Sequence, residues 1–515
     1  MPRASFSSRY GPRILLIVCT LIAMGNLARS EFVSWDDPFN IYQNPRLNPP
    51  TLNGIAQYWQ HPAFGLYIPL TYSVWGLLAL LAQVSPDAQG ISLNPWIFHT
   101  ANLLMHVLSV LIIFEILQLL IRNRIAACIG AMLFAIHPLQ VEAVAWAAGM
   151  KDVLSGLLAL LAIWQYLIYA NEPKNKLHYA LGLIAFIAAM LSKPSAMVVP
   201  IILFAIDFWL LRRNWKSIAS ALLPWTILAI LCAILARIAQ PAIGVTPTPL
   251  MLRPILAADS LAFYLFKLVW PVKLTIDYGW RPEVISRQWW FYVIWIVPVA
   301  LAIALTLSRK RQTKIFVAGI IFVAVLSPVL GLVTFLFQFF SSTADHYLYL
   351  AMLGPALAAA WAIDHFNRPT VVRIAIVILA LLGVRTILQT RFWHDDFALF
   401  PHARDVNPHS FMAAYNLGHI YGTMNDLDQA EPLLREAIRL KPDYYEAHQN
   451  LAVLLEQRGK FAEAIEHVQR ALEIQRARPP RIRIDLAPLL QQLAGDQIEL
   501  EKSSTQPATH TSMSQ

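Results

Sequence analysis

The chain has 515 residues, 57% of them hydrophobic and 14% charged, with a mean hydropathy of +0.51; soluble proteins carry roughly 25% charged residues, so a soluble globular protein is excluded. The net charge of +9, from 40 Lys and Arg against 31 Asp and Glu, does not point to nucleic acid. Much of it sits in short basic connectors between apolar blocks, as in the cytoplasmic loops of membrane proteins. Cys19, Cys128 and Cys232 each lie inside an apolar segment, which implies neither a disulfide framework nor a metal site.

The chain opens with Arg3, Arg9 and Arg13 ahead of an apolar run at 14–27. Without a clear small-x-small cleavage site, this reads as an uncleaved signal anchor with its amino terminus in the cytoplasm. Just beyond it lies Glu31-Phe-Val-Ser-Trp-Asp-Asp-Pro-Phe-Asn40. Carboxylates are costly in lipid, so Asp36 and Asp37 belong at the aqueous face or in a polar cavity. Two readings stand side by side: a general base meeting a substrate from water, or a hydrated Asp-Pro turn.

Between 29 and 95 there is little basic charge, which makes this the first extracytoplasmic loop. The apolar stretch 69–84 is short of the ~20 residues a span needs. Read as an interfacial helix, it leaves Arg122 and Arg124 inside, as the positive-inside pattern asks. The spans then alternate: 96–120, 125–136, 153–169, 179–191, 197–211, 218–238, 290–307, 315–337, 347–363 and 371–388. With 14–27 they make eleven, and the carboxyl-terminal domain lies outside. Residues 261–270 read as a second interfacial helix.

This topology gathers Asp36, Asp37, His61, His137, Glu142, Lys151, Asp152, Lys193, Asp277, Asp345 and His346 on the extracytoplasmic side. Several sit where apolar helices end, which favours a site over a solvated surface. In the stretch from His137 to Leu154, Pro138 breaks the helix, and Glu142 and Trp146 share a face if a short helix follows. Asp152 is expected to cap the next span. Lys151 and Lys193 suit the phosphate of a lipid-linked substrate, or snorkel to the interface. Asp345, His346 and Tyr347 precede a later span, with His346 either a phosphate ligand or an interfacial hydrogen-bonder.

From about 391 the composition turns polar. Residues 411–444 and 445–478 align at a 34-residue period, pairing Leu417 with Leu451, Ala430 with Ala464 and Ala437 with Ala471. That is the tetratricopeptide (TPR) pattern, with small residues where helices touch. Residues 391–409 read as half of an upstream repeat, 485–500 as a capping helix, and 501–515 as a disordered tail. The fold expected is therefore all-α: a transmembrane bundle over 1–390, then a short TPR solenoid over 391–500.

The ordered set Trp35-Asp36-Asp37, Asn44-Pro45, Pro69-Leu70-Thr71, His137-Pro138, Glu142 to Trp146, Lys151 to Ser155, Ser192-Lys193-Pro194 with Asp207, and Asp345 to Tyr349 resembles the transmembrane-and-TPR-containing O-mannosyltransferases and their bacterial relatives. The resemblance spans essentially the whole chain. It implies a polyprenyl-phosphate-dependent glycosyltransferase of the C fold class, moving a mannose-like sugar to a protein hydroxyl. It places the base on Asp36 or Asp37; Asp36 is favoured, because Asp37 precedes Pro38 and is biased toward an extended, structural position. Relatives often carry Arg where this chain has His346, which moves more of the phosphate role to Lys151 and Lys193.

The partners implied are the bilayer, the lipid-linked donor and a protein or peptide acceptor in the TPR groove, with no nucleic acid. No cofactor is implied beyond the donor substrate; a divalent metal could bridge Asp36, Asp37 and the donor phosphate, but two adjacent acids alone do not make a site. The lack of an Asn-x-Ser/Thr sequon favours a bacterial inner membrane with a periplasmic TPR domain. The alternative is a non-enzymatic, membrane-anchored TPR scaffold for envelope or secreted proteins.

Overall fold

The computed structural model describes residues 6–87, 90–240, 248–477 and 487–505, and all regular structure among them is helical. Contacts divide these residues into two units, one ending at Leu399 and one beginning at Phe400.

Seven helical segments of the first unit are long and apolar enough to cross a membrane, or nine if two bent pairs each count as one span. The bent pairs are Arg124–Ile136 with Pro138–Ala145, and Asp345–Ala351 with Leu353–Phe366. At the other two expected spans lie Lys176–Ser192 and Thr313–Val329. At 1.5 Å per residue these reach about 26 Å, less than a ~30 Å hydrocarbon core.

The connectors are punctuated by residue types that end and restart helices. Pro95–Ile121 begins on Asn94, whose side chain accepts from the Trp96 amide, and ends on Arg122 in the left-handed conformation. Asn123 then caps Arg124–Ile136, and Asn214 caps Trp215–Ala239 just after left-handed Arg212. An asparagine oxygen satisfies an amide that the first helical turn leaves free. The basic connectors are thus also tight turns.

Burial identifies the centre. The span Ala147–Asn171 is 67% buried within the protein, whereas Pro369–Trp393 is 6% buried and Trp289–Ser308 11%. The first carries Lys151 and Asp152 at its start, so these charges open the most enclosed of the seven long spans. Arg13 reaches Glu115 at 2.5 Å and lies over the Phe114 ring, tying the first helix to the second span with a paired charge.

Pro69–Leu81 forms a helix of 13 residues. Thr71, Tyr72, Trp75 and Ala79 face inward, while Leu77, Leu80 and Leu81 are exposed. The Thr71 hydroxyl donates to the Ser192 carbonyl at 2.9 Å, so the first loop is fastened beside Lys193.

In the second unit the helices Phe411–Thr423, Leu427–Leu440, Tyr445–Gln457 and Phe461–Ala477 repeat their starts 34 residues apart. Ala430, Leu451, Ala464 and Ala471 share one core, the small residues letting the helices approach. The final helix, Ala487–Thr505, continues past 500, so 501–505 are helical rather than part of a disordered tail. Lys502 pairs with Glu499 one turn back, which supports that extension. Residues 506–515 of the expected tail lie outside the described residues.

Candidate functional site

The two adjacent carboxylates have opposite environments. Asp37 is fully buried: its Oδ2 accepts from the Val33 amide at 2.9 Å and its Oδ1 from the Ala148 amide at 2.8 Å. It therefore fastens the first loop to the turn that opens the central helix. Burial outweighs these two hydrogen bonds and pushes its carboxyl up to about 7. Asp36 points the other way, with 41% of its side chain exposed and its Oδ2 at 3.3 Å from Lys151 Nζ.

Lys151 and Lys193 are not snorkelling cations. Lys151 lies over the Trp146 ring at 4.4 Å, and Lys193 lies over the Tyr347 ring at 5.2 Å. Lys193 Nζ also donates to Asp152 Oδ1 at 2.5 Å. Burial lowers the Lys193 pKa; Asp152 opposes that shift and Lys151 adds to it.

Asp152 was expected as a helix cap, and here the structure differs. Gly149 holds the cap position without a side-chain bond, so Asp152 is free to turn toward Lys193. Its Oδ2 has no hydrogen-bond partner among the described residues.

Deeper in the same region, Glu142 pairs with His346 Nδ1 and accepts from the Asp345 amide at 3.3 Å. The Tyr278 hydroxyl donates to Asp345 at 2.9 Å. Asp345 and His346 are thereby locked among buried partners. Trp146 does not extend the Glu142 helix, which ends at Ala145.

Two of the gathered histidines fall elsewhere. His61 is the exposed end of Leu52–Gln60. His137 is buried with both ring nitrogens on backbone, Nε2 facing the Leu268 carbonyl at 3.1 Å and Nδ1 accepting from the Leu139 amide. Its place is that of a helix cap rather than a ligand. Asp277, also buried, accepts from the Gly279 amide at 2.7 Å.

A cavity of about 30 Å³ lies among Asp152, Ser155, Lys193, Ser195, His346 and Tyr347. Ala196, Val325 and Val329 also line it. Interleaved with these in sequence, Met197, Val198, Ser327 and Pro328 line an apolar groove of about 970 Å³. Phe204, Phe208, Leu222 and Ile230 continue that groove. A charged cavity, and an apolar groove lined by sequence neighbours of that cavity's wall, suit an amphiphile with an anionic head.

Three contributors were not singled out as site residues from the sequence: Tyr278, Ser34 and Asp396. Tyr278 carries no local signal, being one of many interfacial aromatics. Ser34 and Asp396 do carry one, because Trp393-His-Asp-Asp396 echoes Trp35-Asp-Asp37, and the two stretches meet through hydrogen bonds.

Fold and site together define a polytopic, all-α membrane protein with a carboxyl-terminal TPR array and a polar cluster where several of its helices begin and end. Residues 91–239 match the family model described as dolichyl-phosphate-mannose-protein mannosyltransferase, and 406–481 match the tetratricopeptide repeat. The chain is similar to protein O-mannosyl-transferase TMTC1 of Homo sapiens, at 24% identity over 86% of this chain and 57% of that one. It is also similar to protein O-mannosyl-transferase F38B6.6 of Caenorhabditis elegans, at 23% identity over 84% of this chain and 63% of that one. Among solved structures it is similar to the Archaeoglobus fulgidus oligosaccharyltransferase, with 13% identity, a TM-score of 0.42, and coverage of 82% of this chain and 59% of that one. The chain spans less than two thirds of the length of these curated relatives.

Proposed function

We propose that this protein is a membrane glycosyltransferase that moves a mannose-like sugar from a polyprenyl phosphate to a protein hydroxyl at the extracytoplasmic face. The observation that carries the reading is the charge order at the start of the central helix. A half-exposed carboxylate, Asp36, faces Lys151, and Lys193 with Asp152 stands at a cavity whose wall residues Ala196 and Val329 are sequence neighbours of Met197 and Pro328 in the apolar groove.

The reaction asks for that order. The acceptor oxygen attacks the sugar C1 while its proton passes to a base, and the C1–O bond breaks with its electron pair leaving on the phosphate. A carboxylate suits the acceptor side and ammonium groups suit the departing phosphate. Asp36 takes the proton, and Lys151 and Lys193 meet the phosphate. The donor phosphate competes with Asp36 for Lys151, so donor binding frees the base for the acceptor. The apolar groove takes part of the isoprenoid chain. The repeats present the acceptor, and the membrane is a bacterial inner membrane with the repeats in the periplasm.

Mass spectrometry of exported proteins from cells with and without this protein tests the reading. Loss of hexose from specific Ser or Thr residues is expected. An unchanged set of modified proteins and surface glycans would leave the scaffold alternative standing.

A further inference from the structure

The loop that carries Asp36 is fastened on both sides of it. On the carboxyl side Asp37 grips the Ala148 amide. On the amino side the grip comes from the far end of the same unit, just past the last span. Asp396 Oδ1 accepts from the Ser34 amide at 2.7 Å, and Asp396 Oδ2 accepts from the Ser34 hydroxyl at 2.5 Å. The Glu31 amide adds a bond to the His394 carbonyl at 2.8 Å.

Asp396 begins the helix Asp396–Val406, where an acidic residue ordinarily serves the helix itself. Here that task belongs to its neighbour, since Asp395 Oδ1 accepts from the Ala398 amide at 2.8 Å. Asp396 is left to engage Ser34 with both oxygens, one on backbone and one on side chain. Such a pair fixes direction as well as distance. Ser34 stands two residues before Asp36 in a single tight turn, closed where the Trp35 amide donates to the Val33 carbonyl at 2.8 Å, so a shift at Ser34 re-aims the Asp36 side chain.

We propose that Asp396 is a positioning residue that holds 31–37 so that Asp36 faces Lys151 and the acceptor. The proposal rests on the reading of Asp36 as the acceptor base. It gives the segment that leads out of the last span a direct hold on the active loop. Asp396 touches no reacting atom; it acts through Ser34.

The test uses the full-length protein in lipid nanodiscs, with Asp396→Ala, Ser34→Ala and Asp396→Asn. Hydrogen exchange is read at 31–37, and transfer is followed from labelled polyprenyl-phosphate mannose to the exported-protein fraction. Asp396→Ala is expected to speed exchange at 31–37 about tenfold while amides at 411–477 keep their protection. The maximal transfer rate should fall by roughly 10- to 100-fold with the donor KM within about twofold, the mark of a misplaced group rather than a lost binding contact. Asp396→Asn should retain most of the rate, because its oxygen still accepts the Ser34 amide and its amide can donate to the hydroxyl. Ser34→Ala removes one bond only and should fall between them, which keeps the test open if Asp396→Ala does not fold. Unchanged exchange at 31–37 in both alanine variants overturns the clasp. Faster exchange with an unchanged transfer rate overturns the positioning role. Absence of transfer in the wild type overturns the transferase reading, and the exchange measurement still decides the clasp.

Discussion

Asp36 and Asp37 illustrate how neighbours in sequence take different tasks once one side chain is buried. Asp37 has its oxygens on two backbone amides, whereas Asp36 has one lysine and open space. Asp36→Asn keeps the shape and removes the basicity, so transfer should drop roughly 100-fold or more while donor binding and folding hold. Labelled-donor transfer and donor-binding assays check this; near-full transfer by Asp36→Asn, with loss in Asp37→Asn, would reverse the assignment. Asp37→Asn instead sets an amide donor against a backbone donor and should cost about 1–3 kcal/mol of stability. The pH dependence follows from the raised carboxyl. The folded chain keeps the Asp37 proton up to about 7, whereas the unfolded chain releases it near the ordinary value of 3.8. Its contribution to stability is therefore complete in acid and is lost as the pH rises toward 7. Asp396, pushed up to about 6 mainly by burial, acts in the same direction. The thermal midpoint in detergent should be higher at pH 5 than at pH 8, and Asp37→Asn should narrow that difference.

At the scale of elements, the first loop behaves as a folded lid on the helix ends rather than a hydrated connector. Its helix Pro69–Leu81 buries Tyr72 and Trp75 against the unit and exposes a leucine face. Tyr72 stacks on Tyr58 with centroids 3.8 Å apart, and its hydroxyl donates to Asn40. These contacts hold the helix within the loop and leave Leu77, Leu80 and Leu81 exposed, as a helix lying on the lipid surface would require. Single cysteines at 85, 86 or 87 should react with a membrane-impermeant reagent added from outside. Labelling from the cytoplasmic side alone would make 69–84 a span and scatter the polar cluster across two faces. Helix contact elsewhere depends on small residues. A Cβ at Gly354 would stand 2.5 Å from the Ala318 carbonyl, so this position joins two helices through backbone proximity. Even alanine there must push them apart.

The whole chain divides its labour between an apolar unit that encloses charge and a polar unit built from a 34-residue repeat. The residues of the cluster described above all belong to the first unit. Deleting 411–515 should therefore lower transfer to the natural acceptor while leaving donor binding to the membrane unit intact. Donor binding measured on the truncated chain checks this; its collapse would make the repeats a structural support and remove their role in presenting the acceptor.

Composition and periodicity alone determined the class, the 34-residue repeat and the polar residues worth watching. Hydropathy, basic connectors and repeat spacing are local quantities, written along the chain and readable without a fold. Partnership is not local, and only tertiary structure decided it. Asp152 looked like a cap until Lys193, 41 residues on, turned out to stand beside it. His137 counted among the gathered polar residues until two backbone groups took both its nitrogens. The surroundings of Asp36 and Asp37 separated in space because the Ala148 amide, 111 residues away, claims one carboxylate and leaves the other facing Lys151. A buried polar group must find a partner, and in a helical bundle that partner usually comes from another helix.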